Sequence, residues 1–238
     1  MRKLIFFDTE TTGNTEKDFL IQLAYKHGDE SFNNLYKPSV KIPPEASAVH
    51  HITNKMVRDL PSFKESGHVE KIKKLFEDEN SVVVAHNAPF DLMMLKKEGI
   101  VPKNFICTLR VARHIDREEK IDRYNLQYLR YLLEIEIEAL AHDALGDVLV
   151  LEKLFERLKN KIMEEENLSE EETLEKMREI SSHPSLFRTF KFGKHNGKRI
   201  EEVIKTDRGY LEWLLGQKLS GGEMDEDWIY TLKHYLGK

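Results

Sequence analysis

The chain is poor in cysteine: Cys107 is the only one among 238 residues, so no internal disulfide can form. No Cys/His pair has zinc-finger spacing either, and both absences suit a reducing cytosol, so a cytoplasmic protein is expected. Long hydrophobic runs are missing as well. No stretch approaches the ~18 to 20 uninterrupted apolar residues that span a bilayer, and the N-terminal MRKLIFFDTE meets a carboxylate after only four apolar residues. Neither a signal peptide nor a membrane anchor is expected, and no membrane partner. Internal repeats and low-complexity tracts are absent, which excludes a collagenous or wholly disordered chain. Positive charge is in short supply: 37 Lys and Arg face 42 Asp and Glu, a formal net charge of -5 that on its face argues against a nucleic-acid partner. What is present, 40% hydrophobic and 33% charged residues, is the composition of a soluble globular protein with one large domain or a medium and a small one.

Pattern divides the chain into three parts. Lys3 to Phe7, Phe19 to His27 and Ser31 to Tyr36 read as strands joined by tight turns, which predicts an antiparallel meander. Helical spacing follows over 61–78, then a β-branched run, Ser81 to Ala85, that His86-Asn87-Ala88-Pro89 turns into a helix ending near Gly99. Phe105 to Thr108 predicts a further strand, and 125–133 and 145–158 predict helices, so residues 1–160 form an α/β domain. Residues 161–182 carry eight Glu against three Lys or Arg, with Ser169 and Glu172 in capping-box spacing, and read as a solvated acidic helical linker. Residues 183–238 hold both tryptophans, Trp213 and Trp228, expected as core anchors of a small α+β module.

Carboxylates mark the chemistry. In FDTETTG, Asp8 and Glu10 lie two apart at the end of an apolar strand, where extended backbone points them to one face. Asp91 lies just inside the helix opened by HNAPF, and HDALGD places His142 in the approach to a helix and Asp147 in its first turn. If the helices pack on the sheet end where the first strand stops, Asp8, Glu10, Asp91 and Asp147 gather in one pocket. Ionised together they need compensating positive charge, and an all-oxygen set favours Mg²⁺ or Mn²⁺. Two such ions roughly 4 Å apart suit cleavage of phosphodiesters, and His142 could take a proton from the attacking water. Any one segment alone is more often surface charge or a helix cap.

Together, FDTETTG, HNAPFD and HDALGD resemble, in order and separation, the motifs of the DnaQ-like, DEDD-type 3′-5′ exonucleases. The likeness extends to AVHHITNKMV at 48–57 and CTLRVAR at 107–113, and a histidine five residues before the last aspartate marks the subclass that uses His rather than Tyr. The resemblance implies an RNase H-like fold, a mixed sheet flanked by helices. It further implies two metal ions on Asp8, Glu10, Asp91 and Asp147, and His142 as general base. Thr9, Thr11, Thr12, His50 and Asn87 are candidates for contact with the terminal nucleotide, although turn-building and positioning explain them as well. Asn14 departs from the apolar residue relatives often carry after the glycine.

In the last part, Phe187 to Arg199 contains five Lys or Arg, three Phe and no acid. Such interleaving neutralises phosphates and stacks on bases, with Lys191 and Lys194 as candidate contacts, and equally describes a small core with a basic face. FGKHNGKRI and the following DRGYLEWL resemble the C-terminal module of exodeoxyribonuclease X-like proteins, implying an accessory nucleic-acid-binding domain in which His195 is a turn residue. The charge objection then dissolves: the 161–182 segment alone is net -5, and 183–238 has ten bases against eight acids. The expected activity is release of nucleoside 5′-monophosphates from 3′ ends, single-stranded DNA first. An RNA-trimming exoribonuclease, a polymerase proofreading subunit and a non-catalytic nucleic-acid-binding module are the alternatives, and a DNA-repair or polymerase partner is the expected association.

Overall fold

Lys3–Thr11 forms β1 at the centre of a five-stranded sheet in the computed structural model, which describes residues 2–137, 144–220 and 225–238. Leu20–His27 (β2) and Glu30–Leu35 (β3) pair antiparallel on one side, while Ser81–Ala85 (β4) and Phe105–Cys107 (β5) pair parallel on the other, giving the order β3-β2-β1-β4-β5. The predicted meander and mixed sheet are both present. Strand β1 runs four residues past the apolar stretch, through the acidic motif, because β2 pairs with it as far as Thr11.

Both faces of this sheet are covered, and residue parity decides which side chain goes where. Odd positions Ile5, Phe7, Leu23, Tyr25, Val83 and Ala85 face a layer that includes Val69–Phe76 (α3) and Ala88–Lys97 (α4). Ahead of these come two short helices, Pro44–His50 (α1) and Asn54–Val57 (α2). Even positions Phe6, Ala24, Val82, Val84 and Ile106 face the opposite layer, built from Thr108–Ile115 (α5), Leu126–Leu132 (α6), Ala144–Glu166 (α7) and Glu170–Ser181 (α8).

The 161–182 stretch behaves differently from a solvated spacer. Helix α7 continues without a break through 161 to Glu166, and α8, capped by the predicted Ser169/Glu172 box, buries Thr173, Met177 and Ser181. Ser181 Oγ accepts from the Cys107 backbone N–H at 2.8 Å, so α8 satisfies the open edge of β5. The glutamates lie on the outer face, which composition alone could not separate from an all-round polar helix.

The last module is Ile200–Thr206 (α9), Arg208–Ser220 (α10) and Glu226–Leu236 (α11), preceded by a turn closed by an antiparallel bridge between Thr189 and Arg199. Phe190, fully buried, stacks on Trp228 with centroids 5.5 Å apart. Trp213 corrects the expectation made for it: it is 56% exposed. Leu211, Leu214 and Leu215 take the inward positions of α10, which leaves residue 213 on the outer face. Gly193 has φ +66°, and a Cβ there would lie 2.6 Å from the Tyr210 hydroxyl, so the turn needs glycine on both counts. The module is pinned to the larger domain by ion pairs from Arg110 to Glu226 and Arg113 to Asp227. No helix among the described residues is long and apolar enough to cross a membrane.

Candidate active site

The parity that sorts the core also sorts the motif. Asp8 and Glu10 share the face of Phe6, towards α7, whose first turn carries Asp147. The carboxylate oxygens of Asp8, Glu10 and Asp147 lie within 4.8 Å of one another. The β1–β2 register shifts between Glu10 and Thr11, an irregularity that ends regular pairing beside the acidic pair. Asp147 is buried, and its place in the first turn of α7 puts its charge where the helix dipole favours an anion. Three carboxylates this close repel, and their hard oxygens are the donor set of a divalent cation such as Mg²⁺ or Mn²⁺. The residues present therefore fit a metal.

Asp91 is not in that trio. It is 4% exposed in the first turn of α4, on the opposite face of the sheet, and its Oδ1 accepts from Thr9 Oγ1 at 2.6 Å. Thr9, the odd residue between Asp8 and Glu10, is thus the link between the acidic strand and the fourth carboxylate. Burial pushes the Asp91 carboxyl up to about 7, against the opposing pull of the Thr9 hydrogen bond. A cation beside it reverses that shift.

Two further residues organise the site. Gln127, near the start of α6, donates from Nε2 to Asp147 Oδ1 and accepts from Arg130 at Oε1, which fixes the amide orientation. The sequence reading missed Gln127, because a glutamine on an otherwise ordinary amphipathic helix carries no motif signal. His86, in the turn that opens α4, sits with Nε2 2.6 Å from the Tyr124 carbonyl and Nδ1 2.9 Å from Thr108 Oγ1. Partial burial lowers its pKa to about 4, so it is a neutral strut between the starts of α4, α5 and α6. Asn87 adopts φ 67°, the left-handed conformation asparagine tolerates, immediately before α4.

The other candidates are placed as follows. Thr11 Oγ1 donates to the Gly13 carbonyl, and Thr12 Oγ1 donates to Asp18 while accepting from the Phe19 N–H, so both hydroxyls close the turn after β1. A Cβ on Gly13 would lie 2.6 Å from the Asp18 carboxylate, which explains glycine there. His50 is buried and accepts from the Ile52 N–H at Nδ1. Lys194 pairs with Asp207 at 2.7 Å, and hydrogen bonds from Lys194 and then His195 lower Asp207 to about 2. Lys191 donates to the Glu119 carbonyl at the junction of the two modules. His142 lies outside the described residues.

With this geometry in place, the comparisons with known proteins are decisive. The sequence pattern of the exonuclease family matches residues 5–155. The chain belongs to the exonuclease family. A second pattern, the exodeoxyribonuclease X-like C-terminal module, matches residues 190–218. The chain is 34% identical to exodeoxyribonuclease 10 of Escherichia coli (strain K12) over 205 residues, 86% of this chain and 84% of that protein. It is 32% identical to DNA polymerase III subunit epsilon of Treponema pallidum (strain Nichols) over 162 residues, 63% of this chain and 73% of that one. A solved structure of exonuclease X in complex with 5′-overhanging duplex DNA aligns with a TM-score of 0.55 at 25% identity, over 75% of this chain and 99% of that chain. The protein is therefore a hydrolytic nuclease on a mixed sheet flanked by helices, of a metal-dependent family, and the acidic trio fits metal binding.

Proposed function

We propose that this exonuclease removes nucleoside 5′-monophosphates from the 3′ end of DNA, single strands in preference, with two Mg²⁺ or Mn²⁺ ions held by Asp8, Glu10, Asp91 and Asp147. The observation that carries the reading is the convergence of the Asp8, Glu10 and Asp147 carboxylates from two elements far apart in sequence, with Asp91 tied to the same strand through Thr9. When bound, the two cations supply Lewis-acid stabilisation of the charge that develops around phosphorus. The chain's own contribution is rigidity and proton handling. Strand β1 fixes Asp8 and Glu10, Thr9 orients Asp91, and Gln127 orients Asp147. His142, five residues before Asp147, takes the proton of the attacking water on an imidazole nitrogen, a role worth about 10² to 10⁴ in rate. Similarity to a protein named an exodeoxyribonuclease, across most of both chains, favours DNA over RNA.

Matched 3′-ended DNA and RNA oligonucleotides, single-stranded and duplex, incubated with Mg²⁺, Mn²⁺ or excess chelator, test this directly. Mononucleotides should appear from single-stranded DNA first and only with metal. Undiminished activity in chelator sinks the metal reading, and faster release from RNA sinks the substrate. The likeness to a polymerase epsilon subunit favours a second reading, a proofreading subunit. Recovery of a polymerase in stoichiometric amount with the purified protein would establish it.

A further inference from the structure

A cavity apart from the acidic trio opens at the junction of the two modules. It has a volume of about 740 Å³ and lies where α5, the loop after it, α8 and the C-terminal module meet. None of Asp8, Glu10, Asp91 or Asp147 lines it. Its walls hold seven Lys or Arg against four Asp or Glu; Arg110 and Arg113 are already paired with Glu226 and Asp227, which leaves Arg117, Arg123, Lys176, Arg188 and Lys191 as the remaining basic lining.

Three buried polar atoms of lining residues have no hydrogen-bond partner among the described residues: Arg113 Nε, Ser185 Oγ and Glu119 Oε2. Such atoms are uncommon in folded proteins, and here they cluster around one space. Arg113 is held firmly, its guanidinium over the Phe187 ring at 4.8 Å and paired to Asp227, so the Nε–H has a fixed place. Arg117, Arg123 and Arg188 are exposed residues among the lining. Phe192, 36% exposed, offers an aromatic surface beside them. The exposed guanidiniums supply donors for phosphate oxygens and Phe192 a stacking surface, together the complement of a single strand. The volume is in the ~300–1,000 Å³ range of small-ligand sites.

The cavity is also close to the metal-ligand site along the chain. Tyr124 lines it, and Gln127, three residues on, touches Asp147. Three residues span at most about 11 Å even when extended. We infer that this cleft between the nuclease domain and the C-terminal module binds a stretch of the single-stranded substrate beyond the nucleotide being cleaved. The inference rests on the exonuclease reading above and assigns the module a role in holding the strand.

The test compares a dinucleotide, which fills only the catalytic pocket, with an oligothymidylate of about 20 nucleotides, longer than the ~4–16 a single-strand module covers. In the full-length Arg117→Gln/Arg123→Gln variant, the long-to-short ratio of kcat/KM should fall about tenfold, through KM for the long strand. Binding of the labelled long strand in chelator should lose salt dependence, with the slope of log K against log salt smaller by about 0.7 per arginine removed. Phe192→Ala should weaken long-strand binding about tenfold or more without changing that slope. Wild-type ratio and slope in the arginine variant would overturn the cleft, as would a free mononucleotide that displaces the long strand at equal nucleotide concentration. Wild-type protein that cleaves neither substrate would instead bring down the exonuclease reading, so the two failures are distinct.

Discussion

Thr9 Oγ1 donates a 2.6 Å hydrogen bond to Asp91 Oδ1 across the sheet face opposite Asp8 and Glu10. A single residue of β1 thereby couples the acidic strand to a carboxylate delivered by a different helix. Replacing it with valine keeps the shape and removes the donor. An unsatisfied buried acceptor costs about 1–3 kcal/mol, so Thr9→Val should lower kcat/KM by roughly 5- to 150-fold while Thr9→Ser holds near wild type. Steady-state kinetics on one DNA oligonucleotide decides it; equal rates in both variants would mean that Asp91 does not depend on this bond.

Gln127 donates to Asp147, and under the proposed metal site it is the outer partner of a ligand. Losses of about 10- to 100-fold in metal affinity or activity are usual when such partners are removed, and Gln127→Leu should fall in that range. Mn²⁺ titration by calorimetry gives a readout independent of turnover, and unchanged affinity would reduce Gln127 to a packing role.

Divalent cations should stabilise the protein as well as activate it, since they relieve the repulsion among Asp8, Glu10 and Asp147. At about 100 times the dissociation constant the gain is about 2.7 kcal/mol, which in a chain of this size raises Tm by roughly 5–10 °C. Asp8→Asn and Asp147→Asn should shrink that rise and lose orders of magnitude in rate. A thermal scan with and without Mn²⁺ is sufficient, and an equal rise in the variants would place the ion elsewhere.

His86 predicts an acid sensitivity of its own. Its pKa is about 4 in the fold against 6.5 when unperturbed, so the unfolded chain binds the proton more tightly. The contribution to stability is complete above pH 6.5 and is lost as pH falls towards 4, reaching about 2 kcal/mol by pH 5 and about 3 kcal/mol below pH 4. Urea unfolding at pH 7 and pH 5 should show that loss in the wild type and a smaller one in His86→Gln. Identical losses would assign the sensitivity to other groups.

How much of this was legible in the sequence follows from what pattern encodes. The strand period announced that Asp8 and Glu10 share a face, and the Ser169/Glu172 spacing announced the cap of α8; both are local and both are present. Composition failed where burial depends on partners. The acidic 161–182 stretch reads as solvated because its glutamates are, yet Met177 enters the core and Ser181 closes a sheet edge that sequence spacing cannot see. Trp213 reads as core because tryptophan usually is, but the leucines of α10 had already taken the inward face.

By itself, then, the sequence determined the family, the mixed sheet and that Asp8 and Glu10 share a face, since motif residues and strand parity are properties of short segments. Only the tertiary structure decided that Asp91 approaches from the other face and is tied in by Thr9, that Gln127 holds Asp147, and that the two modules enclose a basic cleft. Those relations join residues between 20 and more than 70 positions apart, and only the packing of helices on both faces of one sheet brings them within contact distance.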